Sequence, residues 1–64
     1  MDIANETFLW DRISTGRSPR DIISSMLVLG MIRNSKQAWR TLEKWAKKGL
    51  YDYGVSLDLG WKVA

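Results

Sequence analysis

The chain has 64 residues and a formal net charge of +3, a length that holds one domain and no second. It contains neither cysteine nor histidine, which excludes disulfides, thiolate or imidazole metal sites and the commonest general base. No apolar run approaches the roughly 18 residues of a membrane span, and the acidic, polar opening Met1–Glu6 is unlike a secretory leader, so a soluble cytoplasmic protein is expected. A domain this small buries only about 60% of its unfolded surface. Its core must come from apolar packing, with four tryptophans, two tyrosines and one phenylalanine each able to bury roughly 150–250 Å². Dimerisation would add more.

Asp2 is placed to cap a first helix over residues 3–15, with Ile3, Phe8, Leu9, Trp10 and Ile13 as its apolar positions. Leu9 and Ile13 stand four apart on one face, and Phe8 and Trp10 widen it. That width fits a broadly buried helix or a dimer contact through Phe8 or Trp10. Gly16 is the expected stop. Ser18-Pro19-Arg20-Asp21 is a strong helix start: serine caps, proline suits the first helical position, and the acid can reach back as in a capping box. The second helix is expected to run to about Leu29, burying Ile22, Ile23, Met26, Leu27 and Leu29, and to end at Gly30. Met31–Asn34 then forms a short connection, and Asn34 or Ser35 caps a third helix, with Gln37 three residues after Asn34.

On the third helix, about 35–48, Ala38, Leu42, Trp45 and Gly49 recur at spacings of 4, 3 and 4 and predict a buried stripe, bordered by Trp39 and Ala46. The opposite face is expected to hold Gln37, Arg40, Thr41, Lys44 and Lys48, with Lys36 and Lys47 beside it. Charge follows the same geography. Residues 35–49 carry Lys36, Arg40, Lys44, Lys47 and Lys48 against Glu43, a balance of +4. Residues 1–15 hold Asp2, Glu6 and Asp11 against Arg12, and residues 50–64 hold Asp52 and Asp58 against Lys62. The helix therefore has an apolar back and a cationic front of the kind that attracts polyanions.

From Tyr51 to Val63 every odd position is apolar and every even one polar or glycine, the period of a strand. The run is long for one strand, so a hairpin is expected. Parity requires an odd-numbered loop if the apolar residues are to share a face. A three-residue loop at Ser56-Leu57-Asp58 would pair Val55 with Leu59, Tyr53 with Trp61 and Tyr51 with Val63, set Gly54 opposite Gly60, and leave Leu57 at an exposed tip.

Helix, helix, turn, basic helix, Gly-Leu, hairpin: in this order the chain resembles the winged helix-turn-helix family. Ala38, Leu42, Trp45, Gly49 and Leu50 carry the likeness, at the point where the family's recognition helix runs into its first wing strand. The resemblance spans about Ser18 to Val63 and implies an α+β, mostly α fold of three helices and a C-terminal β-hairpin. In size and style the chain is similar to phage or mobile-element regulators and excisionases. The resemblance further implies double-stranded DNA as partner, with the third helix in the major groove. Gln37, Arg40, Thr41 and Lys44 would then face the bases, Arg40 matching guanine and Gln37 adenine. Arg17, Arg20, Arg33, Lys36, Lys47 and Lys48 would meet phosphates, helped by backbone N–H groups at the start of helix two. Wings that bind DNA usually carry basic tips, whereas this one presents Ser56, Leu57 and Asp58.

The alternative on the same scaffold is a protein-interaction module or small phage-type inhibitor, with Phe8, Trp10 and Leu57 as contact candidates. Catalysis is not expected. The carboxylates Asp2, Glu6, Asp11, Asp21, Glu43, Asp52 and Asp58 form no recognisable catalytic pair, and the glycines form no phosphate-cradling loop. No cofactor, metal or small-molecule substrate is expected either. Asp2 and Glu6 share a helix face and are read as partners of the helix dipole.

Overall fold

The computed structural model describes residues 1–63. Three helices, α1 (Ile3–Ser14), α2 (Pro19–Val28) and α3 (Lys36–Lys47), precede a two-stranded antiparallel hairpin of β1 (Tyr51–Asp52) and β2 (Trp61–Lys62), whose loop holds a short 3₁₀ turn (Leu57–Leu59). The architecture is α+β and mostly α, as expected.

Each helix boundary has a local cause. Asp2, in extended conformation, accepts the Asn5 N–H at 2.8 Å and so satisfies one of the donors that open α1. Pro19 opens α2 at the position where its missing N–H removes no bond. Asn34 Oδ1 accepts the Lys36 N–H at 3.0 Å at the head of α3, while Ser18 and Ser35 make no side-chain cap bond. At the other ends, Gly30 (φ 74°) and Gly49 (φ 76°) adopt the left-handed conformation that reverses the chain after a helix. Met31 and Leu50 then donate their N–H groups back to Met26 and Trp45 at 2.9 Å.

The core is a single cluster: Leu9 and Ile13 from α1, Ile22, Ile23 and Met26 from α2, Ile32 from the connection, Ala38, Leu42 and Trp45 from α3, and Tyr51 from β1. Burying each Leu, Ile or Met side chain contributes on the order of 1.5–3 kcal/mol. Trp10 meets Trp45 edge to face with ring centroids 4.8 Å apart, an arrangement favoured by the ring quadrupoles. Phe8 lies half-buried beneath the Arg12 guanidinium, 3.4 Å from its ring centre. Phe8 and Trp10 thus pack against their own core, as the broadly buried reading of this helix expects, although both also stood as candidates for intermolecular contact. Leu27 and Leu29, expected inside, are 39% and 66% exposed. The buried stripe of α2 is centred on Ile22 and Met26, and Ile32 closes the space beyond it.

The hairpin differs from expectation by one residue. Tyr51 pairs with Lys62 and Asp52 with Trp61, in place of Tyr51 with Val63 and Tyr53 with Trp61. The loop is longer than three residues because it wraps a side chain. Tyr51 is 2% exposed; its hydroxyl donates to the Leu57 carbonyl and accepts the Gly60 N–H at 2.9 Å. Gly60 crosses so close to the Asp52 carbonyl and the Tyr51 ring that a Cβ would collide with both. Its φ of −86° is ordinary, so the glycine is needed for space and not for conformation. Leu57 turns inward and packs against the core, so it is no exposed tip. Cross-strand partners share a face. The register therefore sends Tyr51 into the core and leaves Trp61 on the outer face beside Asp52, with Trp61 52% exposed.

Candidate nucleic-acid interface

The back of α3 is fixed by Ala38, Thr41, Leu42 and Trp45, all buried. Thr41, expected among the base-facing residues, is only 5% exposed, and its hydroxyl donates to the Gln37 carbonyl at 2.9 Å. A threonine that returns its hydroxyl to the preceding turn presents a methyl group to its neighbours and behaves as a core residue. This rotates the outward face of the helix. Its centre is a ridge of Lys36, Arg40, Glu43 and Lys47, all exposed, at the i, i+4, i+7, i+11 spacing of one helix side. Gln37 and Lys44 flank the ridge towards α1, where they line a shallow groove with Met1, Glu6, Arg40 and Thr41. Lys48 is exposed at the C-terminal end.

Two expected polyanion contacts are already engaged by acids. Lys44 Nζ lies 2.6 Å from Glu6 Oε1 of α1, and Arg20 Nε lies 2.6 Å from Asp58 Oδ2 of the hairpin loop. The second pair stands at the start of α2, where the family resemblance implies a phosphate. The 3₁₀ turn that carries Asp58 packs against both α2 and α3, so this loop is folded down onto the helices. Asp58 accepts from the Ser56 hydroxyl and from Arg20, and these bonds hold its carboxyl below the usual aspartate range. Burial pushes the Tyr51 phenol up, opposed by the bond from the Gly60 N–H.

Among the described residues these are the two ion pairs within 4 Å. Lys36, Arg40, Lys47, Lys48, Arg17 and Arg33 are exposed and have no carboxylate that close. The site's net positive field therefore comes from the α3 ridge and from the two arginines in the inter-helix connections.

Glu6 is a site residue that the sequence pattern reads only as a partner of the helix dipole. It lies three positions before Leu9 and seven before Ile13, so it extends the buried stripe of α1 towards α3, and that spacing is the available signal. No group of three or more metal-ligating side chains gathers among the described residues, and no helix there is long and apolar enough to cross a membrane. Comparison with protein-family models, characterised proteins and solved structures gave no match to this chain.

Proposed function

We propose that this chain is a winged helix-turn-helix DNA-binding protein, a small regulator or excisionase-like factor that lays α3 in the major groove. The observation that carries this reading is the Lys36–Arg40–Glu43–Lys47 ridge, three cations against one acid, held outward by a helix whose other side is core, with no carboxylate within 4 Å of its cations among the described residues. Arg40 sits at its centre, where a guanidinium can bond guanine O6 and N7 together; Gln37 reads beside it. Arg17, Arg33, Lys36, Lys47 and Lys48 act on phosphates, which set register and affinity. The hairpin contributes less than a basic wing would, because its acidic turn is committed to Arg20.

The test is anisotropy of a labelled random duplex titrated with protein across a salt series. Binding in the micromolar range is expected, weakening steeply with salt. Lys36→Ala with Lys47→Ala should flatten the log–log slope by about 2, at roughly 0.9 for each phosphate no longer neutralised, with the helical circular dichroism unchanged. Absence of binding at low salt, or a double variant that binds like the parent, overturns the reading.

A second reading, a protein-interaction module, draws on Val28 and Leu29, 86% and 66% exposed at the end of α2. Capture of a partner that survives nuclease and moderate salt, and is lost in Val28→Asp, would favour it over DNA binding.

A further inference from the structure

The first turn of α2 attracts an anion and already holds one. Ser18 makes no side-chain cap bond there, so the positive end of the helix is left to other groups. Arg20 adds a full charge in the same turn. Asp21 follows it, but adjacent helix positions do not face each other. The group that answers is a carboxylate 38 positions away, Asp58 of the hairpin loop, whose Oδ2 accepts from Arg20 Nε at 2.6 Å.

The two sides of this pair are unlike. The Asp58 side chain is 13% exposed and that of Arg20 is 60% exposed. Asp58 also accepts from the Ser56 hydroxyl, and its 3₁₀ turn packs against α2 and α3. Leu57 of that turn sits against the core, and the Tyr51 hydroxyl bonds on either side of it, to Leu57 and Gly60. The acid is therefore fixed, and the arginine is the arm that can leave. Its bond to Asp58 is made by Nε, one of the five N–H donors of a guanidinium.

We propose that Asp58 stands in for a DNA phosphate on Arg20, so that the hairpin loop masks one cation of the nucleic-acid face until a phosphate displaces it. This inference rests on the DNA-binding reading and adds a regulation to it. Displacement asks little of the fold. An ion pair open to water on one side is held weakly, and a duplex brings a denser row of negative charge than one carboxylate. Asp58 keeps its Ser56 bond when Arg20 leaves, and the loop keeps its Tyr51 hub, so a side chain moves and the backbone stays. Exposed Arg17 lies just before the helix, so the released guanidinium swings out into a positive field that favours the phosphate.

A double-mutant cycle read by duplex anisotropy across a salt series tests the mask, with the parent, Asp58→Asn, Arg20→Ala and the double variant. Asp58→Asn should bind several-fold more tightly than the parent, with the log–log slope steeper by up to about 0.9, one further phosphate neutralised. The gain should need Arg20: the Arg20→Ala chains with and without Asp58→Asn should agree within about twofold. Far-ultraviolet circular dichroism of all four chains should coincide. Asp58→Asn binding no more tightly than the parent overturns the proposal. So does a gain of the same size in the Arg20→Ala background, because Asp58 then acts only through the field of the whole protein. If the parent binds and the cycle is flat, this inference alone fails. If none of the four chains binds, the DNA-binding reading fails and the mask with it.

Discussion

Replacing Tyr51 by phenylalanine deletes one oxygen and should loosen the whole C-terminal third of the chain. That oxygen is the hub of the hairpin loop, donating to the Leu57 carbonyl and accepting the Gly60 N–H. Each bond contributes about 0.5–1.5 kcal/mol net, so the pair contributes about 1–3 kcal/mol. A chain of 64 residues has a total stability of about 3–10 kcal/mol, which makes the loss a large fraction. The melting temperature should fall by roughly 4–8 °C for each kcal/mol. Urea denaturation followed by tryptophan fluorescence gives the free energy, and the slope with denaturant should not change because the exposed area does not. The phenol adds a signature in pH. Burial raises its folded pKa, so the unfolded chain gives up this proton first, near pH 10. Stability from this group is complete below that pH and is lost as pH rises through the folded value. Tyr51→Phe should remove this component of the alkaline loss. A variant within about 0.3 kcal/mol of the parent at neutral pH, with an unchanged alkaline limb, would refute the role given to Tyr51.

Other substitutions separate the remaining interactions. Glu6→Gln frees Lys44; DNA affinity should rise several-fold and the salt slope steepen by up to about 0.9, while stability shifts by less than about 1 kcal/mol because the pair is exposed. A lower affinity in that variant would contradict the arrangement. Thr41→Val should leave stability within about 1 kcal/mol and duplex binding unaltered in anisotropy; a binding defect would return Thr41 to the base-facing set. Asp58 is held below the usual aspartate range by Ser56 and Arg20. Its contribution is therefore present above the unfolded pKa near 3.9 and lost as pH falls through the folded value. Acid unfolding of Asp58→Asn should begin from a lower plateau and show a shallower slope than the parent, checked by circular dichroism between pH 5 and pH 2.

The helices are legible because their boundaries are written in single residues. Asp2 caps, Pro19 opens, and Gly16, Gly30 and Gly49 close, each through backbone chemistry that needs no tertiary partner. The cationic front of α3 is legible for most of its members and displaced at one. Thr41 looks polar by type, and only the Gln37 carbonyl that takes its hydroxyl makes it a core residue. The hairpin is visible as a period of two, but parity does not reveal its register. That depends on Tyr51 filling the loop and on Gly60 crossing close to its ring, an arrangement completed by a 3₁₀ turn that alternation does not encode. The acids that engage Lys44 and Arg20 lie far off in the chain, and pairing at such distance follows from packing.

Those two ion pairs have a kinetic consequence. Each joins residues 38 apart in the chain and lies at the rim of the structure, whereas the helix caps and the Tyr51 bonds close over fewer than ten residues. Closing a long loop costs entropy before the contact is made, and an interaction absent from the transition state is felt on the unfolding side of the barrier, which is where both pairs are expected to act. Screening by salt should therefore act on how long the folded chain persists, with little effect on how quickly it forms.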